Sequence, residues 1–258
     1  MTIRAVFFDL GDTLWHFPQM PPIDLIRGET VRRISDLLRT WGVNPEGDLF
    51  FLGRDIRIAV ERAVDEAYNG DCISPHFPTI AREAAAGKGL AISAEQAVDL
   101  WHAWNLGGVF LGRTLFPDVI PTLEWLRERG YRIGSVTNRA LSGEPFRREL
   151  AHHGLLDYFE VLSISCDVGY MKPHAAIFQH ALEALGVAPE EAVMVGDSLR
   201  ADVAGAQALG MTAVWKRNHP SHDEERPLTL PNGQGPVVVV PDYTIETLGE
   251  LPGIPIFG

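Results

Sequence analysis

Three apolar runs in this chain each end in polar groups. Val6-Phe7-Phe8 is followed at once by Asp9, Tyr131 to Val136 by Thr137-Asn138-Arg139, and Ala192 to Val195 by Gly196-Asp197. Lys172-Pro173 opens another apolar-periodic stretch, and Asp202 stands five residues after Asp197. A strand buried on both faces should end in a carboxylate only where that carboxylate has a partner. Open α/β sheets place ligand sites beyond the carboxyl ends of their strands. Asp9, Thr137, Asn138 and Asp197 are therefore expected to converge on one sheet edge although they are far apart in sequence. The chain carries a net charge of −12, so an anionic ligand at that edge needs a local cation and oriented N–H groups to overcome the field. After Asp9, Gly11 is expected to supply a sharp turn through a positive φ. Asp12 and Thr13 are expected to close that turn with side-chain to backbone hydrogen bonds.

The elements that must position these groups alternate. From Pro117 onward the pattern reads helix at 118–129, strand at 131–136, helix at 145–153 and strand at 161–165. It continues with helix at 173–185, strand at 192–195, helix at 199–209 and strand at 212–215. A last strand is expected at 237–240 and a last helix at 245–251, after a polar loop at 216–235. Strands alternating with helices imply right-handed βαβ units and a parallel sheet. Pro173 is expected at the first helical position, which would put Lys172 at the N-cap. Residues 18–113 read differently. Ile23, Ile26, Ile34, Leu37, Leu38 and Trp41 fall near a 3.6 period, further helices follow at 49–68 and 77–86, and Ser93-Ala-Glu-Gln96 is a capping box that opens a fourth. The expected organisation is an α/β domain made of 1–17 and 114–258 with a helical domain, 18–113, inserted after the first strand.

Composition narrows the function classes. The chain has 258 residues, 46% hydrophobic and 22% charged, which is ordinary globular usage and enough for a core domain and a smaller one. The acidic balance argues against nucleic acid and anionic membrane surfaces as partners. No stretch approaches the ~18 apolar residues of a membrane-spanning helix, and no basic start with an apolar core precedes the first strand. Cys72 and Cys166 match no metal spacing and read as free thiols in a reducing compartment. A cytoplasmic location is expected. His152-His153 read as surface residues at a helix end, Trp101, His102 and Trp104 as packing, and His16 and Phe17 as lining the mouth of the site. His219, His222 and Asp223 form at most an adventitious cluster.

The motif order resembles the haloacid dehalogenase (HAD) superfamily of hydrolases. Phe8-Asp9-Leu10-Gly11-Asp12-Thr13-Leu14 resembles its first motif, and Val136-Thr137-Asn138 its second. Gly169-Tyr-Met-Lys-Pro173 resembles its third, and Val195-Gly-Asp-Ser-Leu-Arg-Ala-Asp202 its fourth. The resemblance spans nearly the whole chain, including Pro241-Asp242-Tyr243. It implies a Rossmann-like parallel-sheet core, with the helical insert as a first-type (C1) cap that closes over a substrate.

What the resemblance implies for the residues is specific. Asp9 is the expected nucleophile, forming an aspartyl-phosphate from a small phosphomonoester. Mg²⁺ is the expected cofactor, held by Asp9, the backbone carbonyl of Gly11 and Asp197, with Asp202 reaching it through water or orienting Lys172. Lys172, Thr137 and Asn138 are expected to bind the phosphoryl oxygens. Phosphatases of the family usually carry a second Asp two residues after the nucleophile as general acid and base. Here Gly11 occupies that place, and Asp12 comes one residue later. Two alternatives follow: a catalytically weak phosphometabolite-binding or regulatory protein, and, third, dehalogenation. The dehalogenase branch usually has an aromatic where Gly11 stands and a Ser in place of Thr137. The expected partner is a small phosphorylated molecule, acted on by a monomer or homodimer.

Overall fold

The structure is a computed structural model that describes residues 2–217 and 238–258. The chain forms two compact units, one comprising Met1–His16, Gly70–Ile73 and Thr114–Gly258, the other Phe17–Asn69 and Ser74–Arg113.

In the first unit, β1 (Ala5–Phe8), β4 (Arg132–Thr137), β5 (Val161–Ile164), β6 (Ala192–Gly196), β7 (Thr212–Lys216) and β8 (Tyr243–Ile245) form one sheet in the order β5-β4-β1-β6-β7-β8. Every pairing in it is parallel. A short antiparallel ribbon, β2 (Trp15–His16) with β3 (Thr114–Leu115), stands apart. β1 is central because all four of its residues are fully buried. Val6 and Phe8 join a core with Val119, Leu123 and Leu126 of α6 (Val119–Glu128) and with Phe146 and Leu150 of α7 (Gly143–His152). Ala5 and Phe7 join the opposite core with Ile177, Phe178, Ala181, Leu182 and Leu185 of α9 (Ala175–Leu185). The alternation of the pleat thus feeds two apolar layers from one strand. Gly134 makes room for this: a Cβ there would sit 2.7 Å from both Phe7 and Val161.

The second unit holds α1 (Ile23–Thr40), α2 (Leu52–Asn69), α3 (Phe77–Gly87), α4 (Ala94–Trp104) and α5 (Gly107–Phe110). The Ser93–Gln96 capping box is present. Phe77, Trp101 and Trp104 form a stack with centroids 5.0 and 4.9 Å apart, and Trp104 Nε1 donates to the Gly53 carbonyl at 2.8 Å. Trp101 and Trp104 are packing residues.

Several expectations are corrected. The segment Gly70–Ile73, inside the stretch read as the inserted domain, groups with the α/β unit: Met171 N–H donates to the Cys72 carbonyl at 2.7 Å, and Ile73 bridges to Tyr170. Phe17 belongs to the helical unit. Of the last expected strand, Val237 lies outside the described residues and 238–240 are not strand; Val238 and Val240 are exposed, and the edge strand is Tyr243–Ile245. Asp242 draws the chain there by accepting the Ala213 N–H at 2.8 Å. The last helix is a 3₁₀ segment, Leu248–Gly253, interrupted by Pro252. Lys216 and Arg217 are ordered at the end of β7, and the rest of the expected loop at 218–235, with His219, His222 and Asp223, lies outside the described residues. The helix after Lys172 begins at Ala175 with His174 as its cap, so Lys172 is not an N-cap. A short helix, α8 (Ser165–Val168), precedes it, and a π-helical turn (Leu199–Ala204) runs into α10 (Gly205–Gln207).

Candidate active site

Beyond the carboxyl ends of β1, β4 and β6 lies a pocket lined by Asp9, Gly11, Thr137, Asn138, Arg139, Lys172, Asp197, Ser198, Ala201 and Asp202. Asp9 leaves β1 with its N–H bound to the Val195 carbonyl at 2.9 Å, so the neighbouring strand fixes its backbone. Its Oδ1 accepts from Lys172 Nζ at 2.6 Å.

Lys172 is 2% exposed, and its ammonium donates to three oxygens: Asp9 Oδ1, the Val136 carbonyl at 2.8 Å and Asp202 Oδ1 at 2.7 Å. Burial pulls its pKa down, but the Asp202 and Asp9 carboxylates outweigh that and hold it above the ordinary lysine value. Its backbone is gripped as firmly. Asn138 Oδ1 accepts the Lys172 N–H at 2.7 Å, and Asn138 Nδ2 donates to the Lys172 carbonyl at 3.1 Å. Asn138 was expected to face a phosphoryl group; its amide is spent on the Lys172 main chain.

Asp202 sits in the π-helical turn, 1% exposed. Its Oδ2 accepts the Ser198 N–H at 2.9 Å. Gly196 admits it, because a Cβ there would lie 2.3 Å from the Asp202 carboxyl. Burial pushes the Asp202 pKa up, with Lys172 pulling against it. Asp197 forms no ion pair among the described residues: Thr13 Oγ lies at 3.4 Å, and the Asp197 carbonyl accepts from Trp215 Nε1 at 2.8 Å. Burial, then the charges of Asp9 and Asp202, push its carboxyl up to about 8. Carboxylate oxygens of Asp9, Asp197 and Asp202 lie within 4.8 Å of one another. Crowded hard oxygen donors suit a hard divalent cation.

The Thr137 hydroxyl lines the pocket and makes no hydrogen bond to another described residue. Gly11 lines it too, but without a positive φ; the left-handed residue of the turn is Asp12, at φ 49°. Asp tolerates that region through its short polar side chain. The turn is closed by main-chain bonds, Leu14 and Trp15 N–H to the Leu10 carbonyl and Asp12 N–H to the Trp15 carbonyl. Thr13 reaches Asp197 instead of the backbone. Asp12 is exposed and does not line the pocket, so the structure gathers every expected site residue except Asp12. His16 stacks on Phe116 at 4.3 Å and does not line it either.

Sequence reading missed one residue of the pocket, Arg139, and misread two others, Lys216 and His153, that do not line it. Arg139 was noted only as part of a strand ending, although it directly follows Thr137-Asn138. Its side chain is 15% exposed, and burial pulls its pKa down while Glu149 and Asp9 pull it up. Lys216, read as the start of a loop, is 2% exposed and donates to the Asp12 carbonyl at 3.1 Å, 3.8 Å above the Phe116 ring. His153, read as a surface residue, lies 5.6 Å from the Trp15 ring.

The arrangement is matched by known proteins. The family model described as haloacid dehalogenase-like hydrolase covers residues 3–210. The chain belongs to this family of hydrolases. A glyceraldehyde 3-phosphate phosphatase from Methanopyrus kandleri is 32% identical over 249 residues, 96% of this chain and 95% of that protein. A phosphoglycolate phosphatase from Nitrosococcus oceani is 42% identical over 101 residues, 39% of this chain and 43% of its own length. Among solved structures, a HAD phosphatase from Thermococcus onnurineus matches with a TM-score of 0.55 at 30% identity, covering 97% of each chain. A 2-haloacid dehalogenase from Pseudomonas syringae matches with a TM-score of 0.63 at 26% identity over 98% of this chain and 97% of its own. In this HAD-like hydrolase three of the four motifs lie at strand ends, and the third lies on the loop before α9 instead of at the helix start.

Proposed function

We propose that this HAD-like hydrolase cleaves small phosphomonoesters through an aspartyl-phosphate on Asp9. The observation that carries the reading is the tether on Asp9: Lys172 holds Oδ1, leaving Oδ2 on the Gly11 side. Oδ2 attacks phosphorus, the ester P–O bond breaks, and the leaving oxygen departs with the bonding pair and takes up a proton. Water then attacks the aspartyl-phosphate, returning the Asp9 carboxylate and releasing inorganic phosphate. Thr137 donates its hydroxyl to a phosphoryl oxygen. Lys172 orients the nucleophile and offsets the charge of Asp9 and Asp202, and Asn138 fixes Lys172. Asp9, Asp197 and the Gly11 carbonyl fit Mg²⁺, which when bound neutralises the charge that opposes attack on an anionic phosphate. Asp202 serves Lys172 first, since both its oxygens accept hydrogen bonds.

The relatives' names support a small phosphorylated metabolite as substrate. They and Thr137 favour phosphate over halide chemistry. The helical unit is assigned the substrate-selecting role of a cap. No helix among the described residues is long and apolar enough to cross a membrane, and two cysteines that form no disulfide among the described residues suit a reducing, cytoplasmic setting. The enzyme acts as a monomer or homodimer.

Gly11 places no proton donor where the family usually has one, and Asp12 lies outside the pocket. Leaving groups that need little protonation are therefore preferred. The test is hydrolysis of an aryl phosphate and an alkyl phosphate, with and without Mg²⁺, by wild type, Asp9→Asn and Gly11→Asp. Turnover of the aryl ester by wild type with Mg²⁺, abolished in Asp9→Asn, is expected. A Cβ on Gly11 would meet only Asp9 Oδ2, at 3.8 Å, so Gly11→Asp fits and should restore alkyl ester turnover. Wild-type silence with Gly11→Asp activity would favour the alternative reading, a phosphometabolite-binding protein that lacks its acid.

A further inference from the structure

An anionic phosphoryl group entering this pocket meets two cations, Lys172 and Arg139. The Lys172 ammonium already has three partners. An ammonium has three protons, and all three are directed at Asp9, Val136 and Asp202. A phosphoryl oxygen could bind Lys172 only by breaking one of these bonds.

Arg139 is in the opposite condition. Its backbone is pinned on both sides by one hydroxyl: the N–H donates to Ser165 Oγ at 3.0 Å, and that hydroxyl donates back to the Arg139 carbonyl at 3.1 Å. The guanidinium carbon lies 5.4 Å from the Trp15 ring centroid and 5.2 Å from that of Phe146. Its carboxylate neighbour is Glu149, with Nη2 to Oε2 at 3.7 Å, an ion pair too long to be a hydrogen bond. Among the described residues, none of the five guanidinium N–H groups donates to a protein acceptor. A planar fork that is always charged matches phosphate geometry.

We propose that Arg139 is a substrate-binding residue that donates to the non-bridging oxygens of the phosphoryl group, with donors that no protein acceptor among the described residues has claimed. The proposal rests on the phosphomonoester reading above. Its two sides divide the work: Thr137 offers one neutral hydroxyl from the end of β4, and Arg139, two residues on, offers a charged fork. Glu149 and the two rings hold the guanidinium in place without consuming its donors.

The experiment is equilibrium binding of inorganic phosphate, by calorimetry in the presence of Mg²⁺, to wild type, Arg139→Met, Arg139→Gln and Arg139→Lys. Each variant's thermal midpoint and its kcat and KM for an aryl phosphate are measured beside it. The expected result is a loss of phosphate affinity of about 10–100-fold in Arg139→Met and Arg139→Gln. KM should rise in parallel, and Arg139→Lys should recover part of the loss. A structural role alone predicts a lower thermal midpoint with phosphate affinity unchanged, and that result overturns the proposal. Should Arg139→Met fail to fold, Arg139→Gln and Arg139→Lys decide it by the same reading. Wild type that neither binds phosphate nor turns over the ester would overturn the phosphomonoester reading itself. Wild type that binds phosphate as tightly as a folded Arg139 variant overturns only the role given to Arg139.

Discussion

Lys172 and Arg139 are both cations lining one pocket, and the fold treats them in opposite ways. Lys172 is fully engaged: three side-chain bonds and two main-chain bonds to Asn138 hold it in place. Arg139 is braced by Ser165, Glu149, Trp15 and Phe146, yet its donors are unspent. A buried charge whose donors are all used acts as scaffold: it sets the conformation of its partners and the sign of the local field. A buried charge with donors left over is a site for a ligand. The same distinction separates Asp202, with both oxygens occupied, from Asp197, whose nearest side-chain donor is at 3.4 Å.

The comparison breaks most sharply at Lys172. In Lys172→Met the Asp9 and Asp202 carboxylates face each other without a counter-charge. Removing one member of a buried ionic cluster costs about 3–5 kcal/mol, so a denaturant melt should show a loss of that order. Activity should fall by at least ~10³-fold because the nucleophile loses its tether. Retained activity in a folded Lys172→Met would show that Lys172 is not the orienting group.

Asn138 sharpens the contrast. If it serves the Lys172 backbone, Asn138→Ala leaves the Lys172 N–H without its acceptor, at about 1–3 kcal/mol. It should lower kcat by roughly 10–100-fold, a loss of the size expected when a supporting partner is removed. Phosphate affinity should stay near the wild-type value. A variant that loses phosphate affinity as the Arg139 variants are expected to would return Asn138 to the phosphoryl group.

The legible part of this molecule was its strands. Apolar runs ending in Asp9, Thr137 and Asp197 carry both their burial and their chemistry in adjacent residues, so the convergence on one sheet edge followed from topology alone. What stayed hidden depends on contacts between distant segments. The grip of Asn138 on Lys172 joins residues 34 positions apart. The left-handed backbone at Asp12 depends on main-chain closure around Leu10 and Trp15 and on Lys216, 204 positions away. Glycine was the natural reading for a sharp turn at Gly11, yet the turn placed its strain one residue later. The docking of Gly70–Ile73 beside Tyr170 and Met171 likewise has no local signature, since it is made of backbone bonds. Arg139 was within reach of the sequence: a charged residue immediately after the Thr137-Asn138 strand ending needs a partner as Asp9 does.

The smallest expected effect tests the member of the acidic cluster that forms no ion pair among the described residues. Asp197 is pushed up to about 8 by burial and by the Asp9 and Asp202 charges, from an ordinary carboxyl value near 4. Between those values the folded protein keeps a proton that the unfolded chain has released. The stability this gives is fully present below pH 4 and is lost as pH rises through 8. Metal-free protein should therefore become less stable from pH 5 to pH 8 through this group. The loss should be about 1–2 kcal/mol, well below the nominal 1.36 kcal/mol per unit because Asp197 is only partly buried. Asp197→Asn should flatten that slope, since it has no proton to lose. Mg²⁺ competes with the same proton, so it should raise the melting midpoint of wild type more at pH 8 than at pH 5, and raise that of Asp197→Asn far less. Equal Mg²⁺ stabilisation of both proteins at pH 8 would show that the cation sits without Asp197. The acidic cluster would then be a support for Lys172 alone, and the contrast between spent and unspent charges would end at Arg139.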